Sequence, residues 1–532
     1  MDLAIFEQSL WSTLNYGLLL WNTAEFGVHF RVHFDPILFF LLPFYILHQS
    51  PITLLVLQSV FLGLGALPLY YLAKNELKSD IAGVVFSLSY LLYPPIQGVN
   101  WFDFHPECLL PFFLITAFYY FKKNNFYRYF LFLVLALMCK ETVATITVFM
   151  GVYGVWLNRR SIDFRNLKFR RLVSNKGLVS SVFTIILSVS WYLTSTRIIK
   201  AFNPLGYLFQ NYWFYLGTPI IRGGGLAYLL TMVIYYHYYS CLSFGGCDYT
   251  LLDYLLWLLM GNISVMHIVN NILLNPLQVI EVILTPYPMK SYYFSVLFTP
   301  LLYLPLLDPA SLFVAASWIV LNSLSLYPWY FSPVGFQYPA LYTPFLFVAA
   351  VNGLSNLTNI LKKSVRYFSD IPNERIRGIA RSNLVCAFSK NFLKIFCIVL
   401  LVASIISVVN WSPLWNRTNP TPHDQALEMI ANILPPYSSV CVQPEIYPHI
   451  SHSLLVYPYY YPWFEYDYIL GDSMKSGYYA VVPAPHNLIL NATPLSNAIP
   501  NLVASGKYGV LISFNGIVLL KRGYNGSPFI SL

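Results

Sequence analysis

The chain has 532 residues, of which 57% are hydrophobic and only 10% are Asp, Glu, Lys or Arg. A soluble domain carries about 25% charged residues, so this composition cannot clothe a water-soluble surface of this size and excludes a large soluble fold. The net charge of +9 would suit nucleic acid, but the basic residues sit in short clusters between apolar runs, which excludes that partner.

Residues 1–34 mix apolar residues at helical spacing with Asp2, Glu7 and Gln8. They read as an amphipathic helix lying on a membrane surface, followed by a polar turn. Residues 36–48 are apolar but too short to cross, which suits an interfacial or re-entrant helix. The run 51–73 is long enough to span and ends at Lys74 and Lys78. Residues 81–98 then lead to the loop VNWFDFHPE, and 107–121 return to Lys122, Lys123 and Arg128. Residues 129–157 lie between two basic loops, so they predict a hairpin of two short helices with Lys140 and Glu141 at its tip.

A third basic loop runs from Arg159 to Lys176, ahead of a span over 178–198. The region 199–290 predicts one or two apolar pairs (225–240 and 249–261) around a break at Arg222-Gly223-Gly224-Gly225. Its Cys241 and Cys247 suit an external disulfide or free thiols equally. Spans near 291–306, 309–325 and 338–355 precede a fourth basic loop, 361–394, and a last span, 395–409. Lysine and arginine concentrate in cytoplasmic loops. The loops 74–80, 122–128, 158–177 and 361–394 are therefore assigned to the cytoplasm.

The tail changes character. Short alternating stretches such as SSVCVQ and GVLISFNGIVLLKRG replace the long apolar runs. Asn515-Gly516 between two apolar stretches predicts a hairpin. Sequons begin at Asn410, Asn416, Asn491 and Asn525, in keeping with an external face. The expected architecture is a polytopic α-helical membrane protein with a small external α/β or mostly β C-terminal domain. Its parts are an external interfacial segment (1–50), a multi-span region (51–410) and the tail (411–532).

Ionisable residues at the edge of a membrane are costly and mark functional sites by default. Here the first external segment offers Asp2, Glu7, Arg31, His33 and Asp35, the second offers Asp103, His105 and Glu107, and the hairpin tip offers Lys140 and Glu141. Asp2, Glu7, Asp103 and Glu107 are the candidate catalytic carboxylates, because a carboxylate there can take a proton from a hydroxyl. Arg31, His33, Asp35, His105, Lys140 and Glu141 are the candidate binding residues, since cations hold phosphate. A His–carboxylate pair can orient either group or bind a divalent metal. The bland alternative for Lys140 and Glu141 is an internal salt bridge between the two.

The segments DLAIFEQSLW, HFDPILFFLLPFYILHQSPITLLVLQS, YPPIQGVNWFDFHPE, LALMCKETVA and QYPALYTPFLFVAAVNGL closely resemble the prokaryotic membrane family called domain of unknown function 2079. The tail pieces LPPYSSVCVQPEIYPHIS and FNGIVLLKRG resemble the same family. That family is more distantly similar to the type C membrane glycosyltransferases, which take a sugar from a polyprenyl-phosphate carrier. The resemblance implies roles for Asp2 as the early acidic residue, for His33 to Pro36 as the helix start, for Asp103 to Glu107 as the second acidic loop, and for Lys140 on the carrier phosphate. Its partners would be a polyprenyl-phosphate-linked sugar, membrane lipids, and a glycan, lipid or protein acceptor. One departure stands out: relatives have a transmembrane helix, and usually a Tyr, before the Asp-Leu pair, where this chain has Met1. The rival classes are a transporter or lipid-handling protein, and a scaffold whose tail binds partners.

Overall fold

The computed structural model describes residues 1–159, 175–203, 273–325 and 330–528, apart from 275, 286, 372, 461–463, 475–481, 484–488 and 491–494. The apolar pairs expected over 225–240 and 249–261, with Cys241 and Cys247, lie outside the described residues.

Helix α1 (Asp2–Tyr16) ends where Gly17 adopts a left-handed conformation, with φ of 66°. A two-residue antiparallel pair, β1 (Trp21–Asn22) and β2 (Gly27–Val28), turns the chain back. Helix α2 (Ile37–Leu47) follows. Helices α3 (Pro51–Leu64) and α4 (Ala66–Leu77) together make one 27-residue span. Ser50 caps its start by accepting from the Ile52 N–H, with Pro51 in the first turn. Helices α5 (Asp80–Leu91) and α6 (Pro94–Trp101) meet at a 43° bend. Pro94 and Pro95 lack the N–H groups that would have continued α5.

Helices α7 (Leu110–Lys122), α8 (Phe126–Leu137) and α9 (Val143–Asn158) come next. The break between α8 and α9 holds Lys140 and Glu141. Its Met138 carbonyl accepts the Ile37 N–H at the start of α2, so the hairpin tip caps a distant helix. Helix α10 (Lys176–Phe202) is a second continuous span. Beyond it lie α11 (Pro276–Leu284), α12 (Tyr287–Phe298), α13 (Pro309–Leu324), α14 (Pro339–Asp370), α15 (Glu374–Ala380) and α16 (Asn383–Trp411).

Among the described residues four helices are long and apolar enough to cross a membrane, and the bent α5–α6 pair is a broken span or a re-entrant loop. Their outward faces carry exposed Ile52, Val56, Val60 and Leu67, and later Ile398, Ile405 and Ile406, as lipid-facing surfaces do. Two expectations need correction. The stretch 291–306 is not one helix, because α12 stops at Phe298 and Leu302 and Tyr303 turn left-handed between two 3-10 turns. The basic stretch 361–394 is largely helical: α14 runs on to Asp370, α15 follows, and α16 begins at Asn383.

The tail builds a mixed five-stranded sheet in the order β4 (Val456–Tyr457), β3 (Val440–Val442), β5 (Tyr468–Asp472), β7 (Ile517–Arg522), β6 (Tyr508–Phe514). Strands β6 and β7 form the hairpin expected at Asn515-Gly516, whose φ angles of 46° and 84° suit a tight primed turn. The tail core takes in more than the tail. Ala4 and Ile5 of α1 pack with Ile430, Val440, Ile512 and Leu519, while Leu3, Phe6 and Leu10 of the same helix pack with the membrane helices. Helix α1 is thus buried between two cores, where the sequence had suggested a helix resting on a membrane surface.

Candidate functional site

At one end of the helices the first two basic loops meet, where Lys122 pairs with Glu76 at 2.9 Å and Lys74 with Asp80 at 2.5 Å. The candidate residues gather at the other end. Asp2 stands in the first turn of α1. Asp103 Oδ2 lies 2.8 Å from the Met1 nitrogen and accepts the Leu3 N–H at 3.5 Å, so it holds the start of that helix. The Nδ1 of His105 is 3.0 Å from the Asp103 carbonyl oxygen, and its Nε2 is 3.2 Å from Asp2 Oδ2. A carbonyl only accepts, so Nδ1 carries a proton. Burial alone would lower the His105 pKa, but the hydrogen bond and charge of Asp2 raise it. In return, burial pushes Asp2 up, and the bond to His105 with the nearby positive charges outweighs that and holds it at about 2.

The next pair is deeper. Lys140 Nζ is 2.6 Å from Glu107 Oε1, with side-chain exposures of 12% and 2%. Burial disfavours both charges, yet each is stabilised by the other: Glu107 is lowered and Lys140 is raised, with Asp35 and Glu141 adding to the latter. The salt bridge considered between Lys140 and Glu141 is not formed. Glu141 instead accepts from His33 Nδ1 and from the Phe34 N–H, each at 3.1 Å. Neighbours on a tight turn point apart, so each finds a partner from another element.

A third cluster includes two residues that sequence reasoning passed over. His29 is fully buried, with Nδ1 2.8 Å from Glu25 Oε2 and Nε2 3.2 Å from Asp35 Oδ2. Burial opposes a charged ring, but the two carboxylates raise its pKa to about 10. Asp35 itself is raised by its burial, against the pull of His29 and Lys140. Glu25, His29 and His33 recur at four-residue intervals, and that spacing was the available signal. Arg31, expected to face substrate, donates from Nη1 to the Phe26 carbonyl at 2.6 Å and braces the turn before its own helix.

These clusters adjoin one another. The Phe6 ring lies against His29, Phe104 and His105 at centroid distances of 5.2, 5.5 and 5.6 Å. The charge of Lys140 is felt at Asp2, Asp35 and Glu107. Two carboxylate oxygens, Asp35 Oδ1 and Glu107 Oε2, are buried with no hydrogen-bond partner among the described residues. Glu7 forms a separate node on another side of α1. Its Oε1 accepts from the Tyr45 hydroxyl and from His452 Nε2 of the tail, and its Oε2 also lacks a partner among the described residues. Among the described residues no three His, Cys, Asp or Glu side chains converge as metal ligands. Asp2 and Asp35 each face an imidazole, and Glu107 faces the Lys140 ammonium.

The fold and this site define a multi-pass membrane protein with a buried acid–imidazole–ammonium network at one end of its helices. The chain belongs to the family described as predicted membrane protein DUF2079, which matches residues 1–519. No curated protein matches it. Among solved structures, it is similar to ArnT from Cupriavidus metallidurans bound to undecaprenyl phosphate, with 11% identity over 97% of this chain and 92% of that one and a TM-score of 0.44. It is also similar to the same protein in the apo state, with 11% identity over 98% and 93% of the two chains and a TM-score of 0.40.

Proposed function

We propose that this protein is an inverting glycosyltransferase that moves a sugar from a polyprenyl-phosphate carrier to an acceptor hydroxyl at the outer membrane face. One observation carries the reading. Asp2, the Asp103–Glu107 loop, the His29–Asp35 segment and the Lys140–Glu141 tip, far apart in the chain, adjoin at the end opposite the first two basic loops. Two buried carboxylate oxygens there have no hydrogen-bond partner among the described residues, and the hydroxyls of a sugar would supply one.

In this mechanism the acceptor oxygen attacks the anomeric carbon from the face opposite the phosphate. The bond from that carbon to the phosphate oxygen breaks, and polyprenyl phosphate leaves with the electron pair. Lys140 has ammonium protons beyond the one given to Glu107, and they offset the charge that develops on the leaving group. Asp2 receives the acceptor proton. A carboxylate held near 2 is a weak base, which suffices because the hydroxyl becomes acidic only as its oxygen bonds to the anomeric carbon. His105 fixes the carboxylate that does this, and Asp35 and Glu107 orient donor hydroxyls. The external location of the tail, with its sequons, belongs to the same reading.

The test is transfer from a polyprenyl-phosphate-linked sugar in lipid nanodiscs, with Asp2→Asn and Lys140→Met assayed separately. Each removes one of the proposed roles, and a loss of about 100-fold or more is expected from an acid–base or charge-stabilising group. Full activity in both variants would end the proposal.

A further inference from the structure

The Glu7 node lies apart from that network, and its geometry is specific. Two donors, the Tyr45 hydroxyl and His452 Nε2, converge on the single oxygen Oε1 of a fully buried carboxylate. The two partners come from α2 and from the tail, 445 residues from Glu7 in the second case. Because Nε2 donates, the ring in its neutral tautomer presents a lone pair at Nδ1. That nitrogen has no hydrogen-bond partner among the described residues, and the His452 side chain is 43% exposed. The Trp11 indole stacks on the His452 ring at 5.4 Å and 6°, with Tyr16 beside it at 5.2 Å. On the same stretch, Asn15 Nδ2 donates to Gln49 Oε1 at 2.8 Å, and both amides are exposed.

We propose that Trp11, Tyr16, Asn15, Gln49 and the tail residue His452 form a carbohydrate subsite, with Glu7 and Tyr45 holding the imidazole in place. The chemistry is that of a sugar-ring site: the exposed Tyr16 ring beside the half-buried Trp11 indole for the ring's C–H surface, and a few fixed polar groups for its hydroxyls. His452 Nδ1 accepts from one hydroxyl, and the side-chain amides both donate and accept. The tail thereby contributes a binding residue that the membrane helices lack. Calling the bound sugar the acceptor rests on the proposed transfer reaction; the subsite itself does not.

The experiment uses the full chain in nanodiscs and saturation-transfer NMR with methyl α-glucoside, methyl α-mannoside and the methyl β-glycoside of N-acetylglucosamine. No donor is added, so the readout is independent of turnover, and an inactive Asp2→Asn variant leaves it interpretable. At least one glycoside is expected to give signal with the parent protein, falling about tenfold in Trp11→Ala and in His452→Gln, equal to about 1.4 kcal/mol of binding. Trp11→Phe keeps an aromatic face and is expected to retain most of the signal. If His452→Gln fails to fold, Trp11→Ala decides. No signal from any of the three glycosides with the parent protein would overturn the proposal. So would undiminished signal in the variants, which would leave the aromatic residues as membrane anchors only.

Discussion

The ammonium of Lys140 and the carboxylate of Glu107 are 2.6 Å apart and almost wholly shielded from solvent. Removing one member of such a pair leaves the other charge buried and uncompensated, at a cost of about 3–5 kcal/mol. Lys140→Met is therefore expected to lower the thermal midpoint of the detergent-solubilised protein sharply. The double variant Lys140→Met with Glu107→Leu removes both charges and should recover most of that loss, because apolar replacement of a whole buried pair is close to neutral. Equal midpoints for the parent protein and Lys140→Met would show that the pair adds nothing to stability.

His29 gives the fold a dependence on alkaline pH. Its pKa rises from 6.5 to about 10 in the folded chain. The folded state then holds a proton that the unfolded state releases. The stabilisation is fully present below about pH 6.5 and is lost as pH climbs through about 10. Thermal midpoints should fall steadily between those limits. Glu25→Gln, which removes the largest favourable charge on the ring, should flatten the fall. A profile unchanged by Glu25→Gln would remove His29 as its source.

Gln8 ties the tail to the membrane helices. Its side-chain oxygen accepts the Thr23 N–H at 2.7 Å and the Tyr447 hydroxyl, and its amide donates to the Ser453 carbonyl. Gln8→Leu leaves buried polar groups without partners, costing about 1–3 kcal/mol for each. Faster amide hydrogen exchange is expected around 440–457, with the span 51–77 unaffected. Unchanged exchange in the tail would mean that docking rests on the other contacts, among them the apolar packing of Ala4 and Ile5 and the Glu7–His452 bond.

Gly98 permits the close approach of a distant loop. A Cβ at this position would lie 2.6 Å from the Gly335 nitrogen and 2.8 Å from the Val334 Cα, both backbone atoms that cannot swing aside. The same loop places Phe336 4.8 Å from Phe102, whose ring stacks on His105 at 5.3 Å. Gly98→Ala is therefore expected to cost about 1–3 kcal/mol through overpacking and to reduce transfer by disturbing His105. An alanine variant with the parent's melting point and rate would show that the loop gives way freely.

The sequence made much of this legible. Long apolar runs and clustered basic residues are local properties, so the multi-pass class, the hairpin around Lys140 and the turn at Asn515-Gly516 could be read directly. The charged candidates could be named because ionisable groups in so apolar a chain are rare. Glu25 and His29 were missed because their meaning depends on Asp35 and on complete burial, and a polar turn in sequence gives no sign of either. His452 was missed because it lies in the tail, where a surface histidine is unremarkable until α1 is docked against it.

Composition and spacing determined the multi-pass class and which residue types were available for chemistry, though not every helix boundary, as 291–306 and 361–394 show. Tertiary structure alone decided the pairings: Lys140 with Glu107, Glu141 with His33, and Glu7 with His452. Hydrophobic periodicity specifies the face of a helix, but not which other face will meet it. Once folding has removed water from these charges, each must find a counter-charge or donor across the contact, and that choice is made by elements hundreds of residues apart.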